Sequence, residues 1–597
     1  MKQFFKMMLA SMAGMFVMII VGIILFFVVL IGVFAGIGDK EEVEVKPNSV
    51  LKLDLAYSIP ERTIENPFEN FSPFSTDFGY SIGLNGIHEN IRKAAKDENI
   101  KGIFIQAGAC PNGMATLEAI RNDLIEFKKS GKFIIAYGEM VSQKSYYLCS
   151  VADAFYVNPS GMLIIKGFAA KLFFLKNMLD KLGIQVQVIY DGKFKSATEP
   201  LRLEKMSPEN RKQVTEYVFG IYDHFIKQIA ESRGIDVAVL DNMADNALSM
   251  NTYHLPQLKL ADGLKFWDEV ESEIKSKVGI SEDEKMNFIN LAKYSDAEID
   301  EEKNYKADKI AVVYAEGDIV DGEGKDHMIG SVDYAKIFRD IRKDDEIKAV
   351  VLRINSGGGS ALASDVIWRE VQLTKKKMPV IVSMGDVAAS GGYYIACDAD
   401  TIIAEPTTIT GSIGVFFLLP NMQKFYNEKI GITFDTVKTG KYSDLISTSR
   451  PLTEDEKKLF QQFVDSTYHD FKEKVAEGRD MELTYVDSIA QGRVYTGEQA
   501  LKIGLIDLLG GIDLAIEIAA KKSNMSEYQI VEYPEKEDFF EQIMNGLTGG
   551  ETDDEEIFYS IIKTHLPEEL VLNFELLARV KRMQGVQMKM PYELVID

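Results

Sequence analysis

Two stretches of this chain repeat each other at a fixed separation, and that repeat limits the folds open to it more than any other feature. DENIKGIFIQ at 97–106 matches DDEIKAVVLR at 344–353, 247 residues further on. AYGEMVSQKSYYLCSVAD, starting at Ala136, matches SMGDVAASGGYYIACDAD, starting at Ser383, at the same separation. KLGIQVQVIYDGKFKSA, from Lys181, matches KIGITFDTVKTGKYSDL, from Lys429, at 248, so one residue has been inserted between the matches. An internal repeat of this length implies two copies of one domain fold. A chain of 597 residues is in any case too long for one ordinary core.

Each half alternates short β-branched runs, such as IAVVYAEG at 310–317, AVVLRI at 349–354 and VIVSMG at 380–385, with helical stretches such as 361–376. That order implies an α/β fold with a parallel sheet flanked by helices. The expected divisions are an N-terminal lobe at 47–267, a connection at 268–308 rich in Glu, Lys, Ser and Asp, a C-terminal lobe at 309–535 and a tail at 536–597.

Ahead of the repeat, residues 1–46 read as a cytoplasmic N-terminus and a membrane anchor. Met7 to Gly38 is a run of 32 residues with no charged side chain, whereas about 20 residues of helix cross a bilayer core. The run exceeds the apolar core of a cleavable signal peptide, which predicts one uncleaved transmembrane helix contacting lipid. Lys2 and Lys6 precede it and Asp39, Glu41, Glu42 and Glu44 follow it, so the positive-inside rule leaves the N-terminus in the cytoplasm. In a bacterium this describes a single-pass protein of the inner membrane whose lobes are periplasmic or extracytoplasmic.

The net charge of −24 has the wrong sign for binding nucleic-acid phosphates. Cys110, Cys149 and Cys397 show neither paired nor metal-ligand spacing and read as buried free thiols. Neither a ligand cluster for a metal nor a phosphate-binding fingerprint occurs, so no cofactor is expected.

The halves differ where chemistry would be. In the C-terminal half, VVLRIN leads into Ser356, Gly357, Gly358, Gly359 and Ser360, a turn that lets a ligand approach bare backbone N–H groups. VIVSMG leads to Ala388, Ala389, Ser390, Gly391 and Gly392 before a helical stretch, which places Ser390 at a strand-to-helix junction as a nucleophile or as a plain helix cap. The N-terminal half has Gln143 in place of Ser390, and Cys110, Pro111 and Asn112 in place of Gly357 to Gly359. For lysine the asymmetry is reversed: Lys195 in GKFKSATEP stands opposite Ser443. A serine hydroxyl needs a base, and a desolvated amine can supply one, although most lysines are solvated surface groups. Lys193 has Lys441 as its counterpart and lacks this asymmetry.

These residues resemble the signal peptide peptidase A (protease IV) family of the Clp/crotonase superfamily, in its long duplicated form, over nearly the whole chain. NSGGGS at 355–360 is similar to that family's NSPGGS loop, with Gly357 where proline is usual. MGDVAASGGYYIA at 384–396, TGSIGV at 410–415 and GKFKSATEP at 192–200 follow its other motifs. The resemblance implies two tandem Clp/crotonase-like lobes and a Ser/Lys dyad of Ser390 as nucleophile and Lys195 as base. It also implies Ser412 as the residue that orients the lysine, and the Gly358 and Gly391 N–H groups as the oxyanion hole. Ser412 has Ile165 opposite it in the other half. By the same resemblance the substrates are remnant signal peptides with apolar segments, and several chains, four in number, assemble into a bowl.

Other readings fit less well. A Ser-His-Asp protease of the Clp type needs a histidine in the helical stretch after Ser390, and His88, His224, His254, His327, His469 and His565 all lie elsewhere. An acyl-CoA hydratase or isomerase would explain neither the anchor nor the split of serine and lysine between halves. A membrane scaffold with a vestigial site would not react with a serine-directed acylating probe.

Overall fold

The computed structural model describes residues 43–63, 82–297, 307–324, 328–535 and 585–590, with isolated positions between 4 and 22. The expected membrane-spanning run falls largely outside these. Among the described residues, no helix is long and apolar enough to cross a membrane.

Each half folds around its own sheet. In the N-terminal half six parallel strands lie in the order Gly263–Leu264, Ala154–Ile164, Phe133–Ser142, Ile100–Ala107, Ser49–Asp54 and Phe288–Asn290. In the C-terminal half the order is Val494–Thr496, Ile409–Gly411, Val380–Ala389, Ile347–Ser356, Lys309–Glu316 and Gln529–Tyr533, with Thr401–Ala404 and Leu508–Leu509 branching from the third. The central runs are apolar on both faces, Val350, Val351 and Leu352 being fully buried, because helices cover a parallel sheet from both sides. The repeat survives at the level of elements: helices Leu84–Lys96 and Met114–Lys128 stand 247 residues before Ser331–Lys343 and Ala361–Lys375.

A third sheet draws on both halves. Its order is Met328–Gly330, Asp318–Val320, Gly358–Ser360, Gly585–Lys589, Val415–Asn421 and Gln185–Asp191. Here the structure departs from the expected divisions in three ways. Strand Gln185–Asp191 leaves the N-terminal sheet and runs antiparallel to Val415–Asn421. The tail is not separate, since Gly585–Lys589 lies between Gly358–Ser360 and Val415–Asn421, antiparallel to both. The connection belongs in large part to the N-terminal lobe: helix Trp267–Val278 buries Val270 and Ile274, and Phe288–Asn290 closes the sheet edge. The apolar spacing within this charged stretch is what permits the helix.

The halves are locked together by polar contacts as well as packing. Arg353, 1 % exposed, donates to the carboxylate of Glu61, 3 % exposed, at 2.8 Å. Asp386 accepts from the Ala115 and Thr116 N–H groups and the Thr116 hydroxyl, capping helix Met114–Lys128 from the opposite half. The three cysteines are free and buried, as the spacing indicated.

Candidate active site

Ser390 ends strand Val380–Ala389 and precedes helix Gly391–Ala396, with φ 56° and ψ −113°. A side chain in that region costs about 1–3 kcal/mol and persists only where its surroundings enforce it. They do so here: the Ser390 N–H donates to the Gly411 carbonyl at 2.8 Å, and Gly391 and Gly392 follow in space too tight for a Cβ. Ser390 makes no capping hydrogen bond. Its hydroxyl meets the Lys195 amine instead, at 2.7 Å.

Lys195 arrives from the N-terminal half on the turn that follows strand Gln185–Asp191. Its Nζ lies 3.1 Å from Ser412 Oγ and 3.2 Å from the Ser412 carbonyl oxygen. Ser390 and Ser412 are fully buried and Lys195 is 1 % exposed. Among the described residues no carboxylate faces the amine, and burial drives its pKa well below the ordinary lysine range. The pairing of Gln185–Asp191 with Val415–Asn421 creates the contact, because Ser412 lies just before one strand and Lys195 just after the other.

Of the residues named from sequence, the structure brings Ser390, Lys195 and Ser412 into one cluster. Lys193 and Ser443 are exposed. Gly358 and Gly391 are neighbours, since a Cβ on Gly358 would sit 2.5 Å from the Gly391 nitrogen. The Gly358 N–H here donates to Ser356 Oγ at 3.1 Å. The loop read from the three glycines is partly strand, Gly358–Ser360, with the tail on its edge and the Met590 N–H donating to the Gly357 carbonyl at 2.6 Å.

Sequence reasoning missed the strap that holds the two halves of the site together. Gln491 O accepts from the Phe194 N–H at 2.8 Å, the Gly492 N–H donates to Ile413 O at 2.7 Å, and Arg493 O accepts from the Ser412 N–H at 2.7 Å. Gly492 has φ 74°, and a Cβ there would lie 2.7 Å from the Lys195 backbone. Gln213, fully buried, donates to Phe194 O and Ser196 Oγ on either side of the lysine. Neither Gly492 nor Gln213 carries reactive chemistry, so nothing in the sequence marked them.

In the N-terminal half the matching positions are filled structurally. Gln143 donates to Gly167 O and accepts from the Lys166 N–H, and Asn112 donates to Leu55 O and Tyr57 O. Among the described residues one group, His88, Asp123 and Asp513, gathers three metal-type ligands. Both His88 ring nitrogens already face carboxylates, at 2.6 Å and 2.5 Å, and Arg92 pairs with Asp513, so the group serves as a clasp between halves. No described histidine touches Ser390, and His88, His224 and His469 are paired with carboxylates elsewhere.

A serine hydroxyl set on a strained turn against a buried lysine amine has the layout of a serine hydrolase. Comparison with known proteins gives the same class more narrowly. The model of peptidase family S49 matches twice, at residues 126–281 and 372–526. Serine protease SPPA, chloroplastic, of Arabidopsis thaliana is 35 % identical over 75 % of this chain and 67 % of its own. Protease 4 of Salmonella typhi is 32 % identical over 88 % of this chain and 87 % of its own, and Protease 4 of Haemophilus influenzae is 35 % identical over 73 % and 72 %. The chain belongs to peptidase family S49, in a form with two S49 repeats, and is a serine peptidase.

Proposed function

We propose that the chain is a membrane-anchored endopeptidase that hydrolyses remnant signal peptides, with Ser390 as nucleophile and Lys195 as general base. The observation that carries this reading is the 2.7 Å contact between a lysine amine and a serine hydroxyl that come from different halves and are both buried. A neutral amine has two N–H donors and one lone pair. The donors suit the two oxygens of Ser412, which leaves the lone pair for the Ser390 proton. As Ser390 Oγ bonds to the scissile carbonyl carbon, its proton passes to Lys195. The oxyanion is held by the Gly358 and Gly391 N–H groups, Gly358 giving up its bond to Ser356. Lys195 then protonates the leaving amine, the C–N bond breaks, and an acyl-serine remains. Water, deprotonated by the same amine, attacks the acyl carbon; the acyl C–Oγ bond breaks, Lys195 returns the proton to Ser390 Oγ, and the acyl half leaves as a carboxylic acid.

In this reading each lobe is of the Clp/crotonase type, residues 1–46 hold the enzyme in the inner membrane with its lobes outside the cytoplasm, and copies of the chain form a homotetramer. The apolar character of signal peptides matches an enzyme placed against the bilayer. A serine-directed fluorophosphonate tests the reading. Wild-type protein is expected to be labelled at Ser390, located by peptide mass spectrometry, and Ser390→Ala to remain unlabelled. Labelling of neither protein would return the chain to the scaffold reading.

A further inference from the structure

Strand Gly358–Ser360 and the strand that follows Ser412 would face each other as open edges without the chain's own tail. Gly585–Lys589 runs between them, antiparallel to Gly358–Ser360 on one side and to Val415–Asn421 on the other. It also lies beside helix Gly391–Ala396, which begins directly after Ser390. An extended peptide added to a strand edge is a recurring mode of peptide recognition, in which main-chain hydrogen bonds give affinity and alternate side chains enter pockets. The tail has both the place and the form of a bound peptide.

Its register sets one bond at the chemistry. Gly359 stands opposite Met588 and Gly358 opposite Lys589. A Cβ built on Gly358 would meet the Met588 carbonyl oxygen at 2.0 Å and the Gly391 nitrogen at 2.5 Å, so that carbonyl lies beside both proposed oxyanion donors. A peptide in this register is attacked at the residue in the Met588 place, and the residue in the Lys589 place heads the leaving segment. Met588 is fully buried in the core of the C-terminal half, which suits an apolar residue before the cut. Lys589 is the one charged residue of 585–590, and its side chain is 6 % exposed. A buried ammonium needs a partner. Asp318, at the start of strand Asp318–Val320, supplies it: Lys589 Nζ donates to Asp318 Oδ2 at 2.6 Å.

We propose that Asp318 determines specificity by selecting a basic residue immediately after the scissile bond, with residues 585–590 lying along the path the substrate takes. This rests on the peptidase reading above and adds to it the charge of the leaving segment's first residue. Among the described residues Asp318 has no other ion pair, so a substrate that displaces the tail meets a carboxylate in need of a cation. An acidic residue there would set two carboxylates against each other where little solvent reaches, so the site discriminates by repulsion as well as attraction. The tail competes for the same groove, held by the same ion pair.

The test uses the full chain in detergent and a quenched fluorescent peptide containing GVQMKM, the sequence of 585–590, beside the same peptide with Glu in place of Lys. Wild-type enzyme is expected to cut the first between Met and Lys, located by mass spectrometry. Its kcat/KM is expected to exceed that for the second by about 10–100-fold, the range of a hydrogen bond to a charged group. Asp318→Asn is expected to bring that ratio near one, and Asp318→Lys to favour the Glu peptide, a gain that damaged folding cannot produce. Lys589→Glu, which repels the tail from Asp318, is expected to lower KM for the Lys peptide with little change in kcat. Equal cleavage of both peptides by wild type, cleavage at another bond, a Lys preference kept by either Asp318 variant, or an unchanged KM in Lys589→Glu overturns this inference and leaves the peptidase reading standing. A wild type that cuts neither peptide also overturns it, and absence of fluorophosphonate labelling as well overturns the peptidase reading.

Discussion

An amine without solvent favours its neutral form, so folded Lys195 gives up its proton more readily than the same residue in the unfolded chain. Between its two pKa values the unfolded chain therefore binds more protons, and through this group stability rises with pH across that window. At neutral pH the lysine is retained at the expense of the fold. Lys195→Met is expected to raise the melting temperature at pH 7 while abolishing turnover; a lower melting temperature would mean that the amine stabilises its pocket. The rate has the same sign, because a base works unprotonated. kcat/KM should climb with pH along the lysine's lowered pKa to an alkaline plateau, and an ascending limb centred near 6.5 would instead indicate a histidine base. Gly492→Ala is expected to push the Lys195 backbone and lower kcat by about 10²-fold, with fluorophosphonate labelling slowed in step. Unchanged kcat would remove the strap from the machinery. Ser390 and Lys195 were legible in the sequence because each is unmatched in an otherwise matching repeat. Gly492 and Gln213 were not, since what they do is hold backbone, and no residue type announces that.

At the scale of elements, the alternation of strands and helices was readable because buried parallel strands need continuous apolar runs. IAVVYAEG, AVVLRI and VIVSMG all lie in the C-terminal sheet. Strands whose partners lie far away in the chain were not readable. Gly358–Ser360 and Gln185–Asp191 depend on partners from distant parts of the chain, and Gly585–Lys589 came from a tail with no expected role. Gly358 shows how closely these strands are fitted: it has φ 91°, and a Cβ would strike the Met588 carbonyl oxygen as well as the Gly391 nitrogen. Gly358→Ala is expected to displace both proposed oxyanion donors and cut kcat by about 10²–10³-fold, the loss seen on removing one such donor, with a smaller change in KM. An effect confined to KM would assign the loop to substrate binding alone.

At the scale of the molecule, the two halves act as one body because buried polar contacts cross between them. The His88 clasp is one. Burial would lower its pKa, but the facing carboxylates of Asp123 and Asp513 raise it to about 9. Its folded pKa exceeds its unfolded one, so its stabilisation is complete below about 6.5 and is lost as pH rises through about 9. His88→Gln is expected to lower stability at pH 6 and to leave it nearly unchanged at pH 10, measured by urea denaturation; an equal loss at both would make the contact uncharged. A chain beginning at Lys46 is expected to lose membrane attachment and retain peptidase activity, because every proposed catalytic residue follows that point. The central claim is that one site is divided between two halves, and kcat/KM for Ser390→Ala, Lys195→Ala and the double variant tests it most directly. Each single change is expected to lower kcat/KM by about 10³-fold or more, and the double variant to be no worse than either, since without the hydroxyl the amine has nothing to deprotonate. Lys193→Ala and Ser443→Ala should stay near wild type. Near-normal turnover in a folded Lys195→Ala protein, or losses in the two single variants that simply multiply in the double, would contradict a shared serine–lysine site.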